Sequence, residues 1–125
     1  MALCVSTSVL GEASAICFEG KRHTVEDLYK IVDLLHRRAI RFLHPNRVVA
    51  EICYDLYSDD WRDDRMKPTD LVNLGYALAY EMDYLVTSDK VLNAYHIPPD
   101  YALKVITPAE AIDEAKDQNY RRQCP

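Results

Sequence analysis

A three-layer α/β domain on a mainly parallel sheet is the fold class this sequence predicts. Short apolar runs at 2–5, 39–43, 84–87 and 103–106 alternate with segments carrying apolar residues at helical spacing. Strands that alternate with helices imply a parallel sheet covered on both faces. The second observation lies between 69 and 89. Leu71, Leu74, Leu78 and Met82 recur behind Asp70 as one helical face, and Tyr84, Leu85 and Val86 follow as an apolar run too short for a helix. That is a helix starting on a carboxylate, then a strand ending just before another, Asp89.

Residues 2–5 read as the first strand. Ser6, Thr7 and Ser8 offer caps for a helix over 9–18, with Glu12 in its first turns. Gly20, Lys21, Arg22 and His23 form a polar break. Thr24 and Asp27 form a capping box for a helix with Leu28, Ile31, Val32 and Leu35 on one face. His36, Arg37 and Arg38 suit the negative end of its dipole. The strand at 39–43 closes at His44-Pro45-Asn46, and Asn46 caps a helix bearing Val49, Ile52, Cys53 and Leu56. Residues 58–68 read as a charged, solvated loop around Trp61. The helix from Asp70 and the strand to Thr87 follow, then a short helix from Asp89 that ends before Ile97-Pro98-Pro99. After the strand at 103–106, Thr107-Pro108-Ala109-Glu110 combines a cap, a proline at the first helical position and a Glu at the third. One domain over 1–115 and a polar tail over 116–125 complete the organisation.

The 125 residues suit one domain, and 49% hydrophobic with 28% charged residues is near the globular average. No run of 18 apolar residues predicts a membrane span, and the first ten residues lack the pattern of a secretion signal. Cys4, Cys17, Cys53 and Cys124 show no metal-ligand spacing and read as thiols of a reducing, cytoplasmic compartment. The four histidines lie at no zinc-like spacing. A net charge of −5 argues against a strongly basic nucleic-acid binder. It leaves room for an acidic metal site acting on nucleic acid, because the ion brings its own positive charge.

In an open parallel α/β sheet ligands gather outside the carboxyl ends of the strands, and a helix N-terminus can lie at that edge. Asp70 and Asp89, nineteen positions apart, can therefore meet there. Two converging carboxylates call for a partner, most simply Mg²⁺ or Mn²⁺. Each residue also has a plainer role. Asp70 can be a dipole-favoured residue of the first turn, Asp89 a cap of the short helix after it, Glu12 a solvated helix residue. Tyr76, Tyr80 and Tyr84 recur every four residues and read as core or subunit interface.

Four segments in order resemble the PIN domain, the fold of VapC-type toxin ribonucleases. Thr69 to Ala79 is similar to the family's Asp-initiated, Ala-rich helix, and Leu85-Val86-Thr87-Ser88-Asp89 to its strand ending in Thr-x-Asp. Val105-Ile106-Thr107-Pro108 is similar to its closing strand and turn, and Val5-Ser6-Thr7-Ser8-Val9-Leu10-Gly11-Glu12 to its second strand and the helix bearing a Glu. The family's first strand, which ends in a metal-binding Asp, has no counterpart in this match. A second register places Ser6 where that Asp belongs and Glu51 where the Glu belongs.

The resemblance implies a metal-dependent endoribonuclease of VapC toxin type. Glu12, Asp70 and Asp89 would bind Mg²⁺ or Mn²⁺, and Thr87 would hydrogen-bond a carboxylate or the water at the scissile phosphate. It implies an RNA substrate, an antitoxin partner and a homodimer. The alternative it leaves open is a catalytically inactive PIN-like interaction module, which the missing Asp favours.

Overall fold

In the computed structural model the described residues are 3–19, 24–38, 40–58 and 60–123. They group into two compact units that divide between Pro45 and Asn46, where the sequence alone suggests one domain over 1–115. The expectations for the polar break at Gly20–His23, the strand starts at Ala2 and Ala39, Asp59, the Cys17 side chain and Cys124 lie outside the described residues.

The first unit runs β1 (Cys4–Ser6), α1 (Thr7–Glu19), α2 (Val25–Arg37), β2 (Arg41–Leu43). β1 and β2 are parallel, with Cys4 opposite Arg41 and Ser6 opposite Leu43. Two helices make the crossover that a parallel pair requires. Ser6 ends the strand and starts the helix: its Oγ accepts from the Val9 N–H at 3.2 Å. At the start of α2 an Asp27 Oδ2 accepts from the Thr24 N–H at 3.0 Å, the expected reach back to the cap. Leu35 is buried on this helix, but Ile31, expected on the same inward face, is 40% exposed. Ile31 lies four residues before Leu35, on the border of a narrow apolar stripe.

The second unit runs α3 (Arg47–Leu56), α4 (Pro68–Ala79), β3 (Tyr84–Val86), α5 (Lys90–Ala94), β4 (Lys104–Ile106), α6 (Pro108–Gln123). β3 and β4 are parallel, with Tyr84 opposite Lys104 and Val86 opposite Ile106. The architecture is thus mixed α/β with two short parallel strand pairs. The core of this unit is the seam between α3 and α4, where Ile52, Leu56, Leu74, Ala77 and Leu78 pack together with Leu103. Asn46 caps α3 as expected, its Oδ1 accepting from the Val49 N–H at 2.9 Å. Thr107 and Glu110 close both halves of a capping box, Glu110 N–H to Thr107 Oγ1 at 3.2 Å and Thr107 N–H to Glu110 Oε1 at 3.1 Å. α6 runs through Gln123, so 116–123, expected as a tail, are helical.

α4 ends at Ala79, before Met82, which the apolar spacing of Leu71, Leu74 and Leu78 carries onward as one face. The stop is a Schellman turn. The Glu81 N–H donates to the Leu78 carbonyl at 3.2 Å and the Met82 N–H to the Ala77 carbonyl at 2.9 Å. Glu81 sits at φ 53°, the left-handed conformation that glycine occupies without strain. The three-tyrosine stripe is therefore cut: buried Tyr76 stacks on Tyr80 with centroids 6.5 Å apart, while Tyr84 belongs to β3. Glu81→Gly should relieve the Cβ strain and stabilise the protein by about 1 kcal/mol. Urea titration measures it, and an unchanged or lower midpoint would show that Glu81 bears no strain.

Candidate functional site

Pro68 occupies the first turn of α4, where its missing N–H costs nothing and its fixed φ suits the helix. Two residues on, Asp70 is half-buried, and its Oδ2 accepts from the Lys67 N–H at 3.3 Å. The carboxylate thus ties down the helix start with one oxygen and keeps the other.

Three residues past the end of β3, Asp89 caps α5. Its Oδ1 accepts from the N–H groups of Val91 and Leu92, at 2.8 and 3.0 Å. Oδ2 stays outside the cap, on an exposed side chain. Thr87 holds the turn from the strand side. Its N–H donates to the Ile106 carbonyl at 3.0 Å, and its Oγ1 accepts from the Asp89 N–H at 3.2 Å. Asn93 closes the turn from below: its Nδ2 donates to the Thr87 carbonyl at 2.9 Å and to the Asp89 carbonyl at 2.8 Å. Asn93 is not among the residues that the sequence pattern singles out. Its only sequence sign is the i, i+4 spacing from Asp89, which places both on one side of a helical turn.

Thr87 and Asp89 therefore share one hydrogen-bonded turn at the carboxyl end of a parallel strand. Asp70 belongs to the same unit. α4 joins β3 through Tyr80, Glu81, Met82 and Asp83, so Asp70 and Asp89 lie at the ends of their elements remote from that joint. Glu12 is exposed on α1 of the first unit. In the second register, Ser6 is spent capping α1, and Glu51 accepts from Arg47 Nε at 2.8 Å in an exposed i, i+4 ion pair. Among the described residues, no three His, Cys, Asp or Glu side chains gather as a metal-holding group.

Comparison with protein-family models, with curated proteins and with solved structures returned no match. Two carboxylates, each with one oxygen bound to its own helix start, offer hard monodentate ligands on a fixed backbone. Carboxylate oxygens as such suit Mg²⁺ or Mn²⁺ better than a soft metal. Among the described residues, no helix is long and apolar enough to cross a membrane.

Proposed function

We propose that this chain is a PIN-like, metal-dependent endoribonuclease of VapC toxin type, with a three-layer α/β arrangement. Asp70 and Asp89 are its central acids and Glu12 its third. The observation that carries the reading is the Thr87–Asp89 turn: a threonine and an aspartate locked together at the carboxyl end of a parallel strand, with a carboxylate oxygen to spare. In this reading Asp70 and Asp89 each hold the ion through the oxygen their caps leave over. Thr87 fixes the Asp89 backbone and so the direction of its carboxylate. A divalent ion bound there supplies positive charge to the phosphate and lowers the pKa of an attacking water. The reading places the protein in the cytoplasm as a homodimer, with RNA as substrate and a small antitoxin as inhibitor. The second reading, an inactive PIN-like interaction module, draws on the same caps, since capping alone accounts for both aspartates.

Mn²⁺ separates the two. An ion that binds only the folded state stabilises it by mass action, by about 2.7 kcal/mol at a hundredfold excess over its Kd. Mn²⁺ should therefore raise the melting temperature. Asp89→Asn should abolish the rise and any Mn²⁺-dependent cleavage of RNA, while leaving the metal-free melting temperature nearly unchanged. Asn is as good a helix cap as Asp, so the variant removes the charge and keeps the fold. A wild-type melting temperature indifferent to Mn²⁺ rejects the enzyme and leaves the interaction module.

A further inference from the structure

Trp61 is the single tryptophan of the chain, set in the loop between α3 and α4. The sequence suggests that this loop is merely solvated. Instead it is tied down. The Tyr95 hydroxyl donates to the Trp61 carbonyl at 2.8 Å, Arg62 lies over the Tyr57 ring at 4.7 Å from its centroid, and Arg65 grips Asp63 at 2.8 Å. Trp61 lines two hollows. One, of about 490 Å³, is bordered by Asp63, Asp64, Arg62 and Arg65, whose charges already pair among themselves at 2.8 and 3.0 Å. Asp60 borders it as well, but the guanidinium groups of Arg62 and Arg65 share the same wall and disfavour a cation there.

The other, of about 230 Å³, is different. Ile52 and Leu56, both buried, form its floor, and half-buried Trp61 and Tyr101 its flanks. Asp55 and Asp100 stand exposed at its rim. No basic side chain lines it among the described residues. The volume exceeds the ~30 Å³ share of one water several-fold. An apolar floor with aromatic flanks takes a hydrocarbon stem, an aromatic face favours a cation over it, and two carboxylates at the mouth complement its charge.

We propose that this hollow is a binding site for an organic cation on an apolar stem, a guanidinium or ammonium group set between Asp55 and Asp100 with its alkyl chain against Trp61 and Tyr101. The same chemistry comes from two sources, a free alkyl amine or guanidine and an arginine side chain of a partner protein.

Trp61 reports directly, since it is the only tryptophan and lines the site. Its fluorescence is titrated with butylguanidinium, with the neutral isostere butylurea, and with the peptide Gly-Gly-Arg-Gly-Gly. Binding in about the millimolar range is expected for a ligand this small. A saturable change with butylguanidinium, absent with butylurea, supports the site. Comparable binding of the peptide assigns the arginine source, and its failure beside butylguanidinium assigns the free cation. Asp55→Asn or Asp100→Asn should weaken binding about two- to fivefold each, as for exposed ion pairs, and the double variant about tenfold. Both residues are exposed, so these variants keep the fold, as their melting temperatures will show. The proposal is overturned if neither cation gives a saturable change, if butylurea binds equally well, or if the double variant binds like the parent.

Discussion

Leu74→Ala is expected to cost about 2–5 kcal/mol of stability, a large part of what a domain of this size holds. Leu74 has no exposed surface and, among the described residues, is the one large side chain buried so completely. It sits on α4 at the centre of the seam with α3, among Ile52, Leu56, Ala77, Leu78 and Leu103. Truncation loses the transfer free energy of the removed carbons and leaves a void. That void cannot collapse easily, because its walls are two helices and the segment entering β4. Ile112→Ala provides the contrast: same chemistry, but 57% exposed, so a change within about 0.5 kcal/mol is expected. In urea titrations the Leu74 variant should show a much lower midpoint at an unchanged slope. A loss below about 1 kcal/mol would mean that the α3–α4 seam is not the core of the second unit.

The features legible in the sequence are those decided within four residues. Asn46, Asp89, Thr107 with Glu110, and Asp27 all cap as their spacing predicts, because a short polar side chain finds a nearby N–H without help from the rest of the fold. The order of helices and strands is legible for the same reason: apolar period 3.6 against short apolar runs. The end of α4 is not, because a left-handed C-terminal residue is usually advertised by Gly or Asn and here is Glu81. Strand pairing is not legible either. β1 meets β2 across two helices, a contact that no local pattern specifies. The candidate site divides in the same way. The Asp89 cap is local and legible, whereas Thr87, expected to meet a carboxylate or a water, accepts from the Asp89 N–H instead, and any grouping of Asp70, Asp89 and Glu12 depends on tertiary placement. The hollow at Trp61 escaped because its lining comes from α3, the charged loop and 98–101. Its one sequence sign is Trp61 itself, a large ring amid six acidic and basic neighbours over 59–65.

Gly75→Ala should reverse sign with the residue facing it. In the interior of an exposed helix, Ala is better than Gly by about 0.5–1 kcal/mol, because Gly loses more backbone entropy on folding. At 75 the helices approach so closely that an added Cβ would fall on the Cys53 Sγ. The neighbouring atoms are less tight: Cys53 Cβ and the Val49 carbonyl oxygen would lie at 3.7 Å, ordinary contact. Only the sulfur stands in the way. It cannot swing freely, since one of its three rotamers is disfavoured by the preceding helical turn. Burial also pushes the Cys53 thiol pKa up, so the group is a neutral S–H packed against α4. Gly75→Ala alone should therefore destabilise by about 1–3 kcal/mol, the cost of overpacking outweighing the helix gain. In the Cys53→Ala background the same substitution should stabilise by about 0.5–1 kcal/mol, since the sulfur is gone and the propensity term remains. The coupling between the two positions, read from a double-mutant cycle in urea, is the decisive quantity. If Gly75→Ala shifts stability equally in both backgrounds, glycine at 75 is not there to let α3 and α4 close on one another.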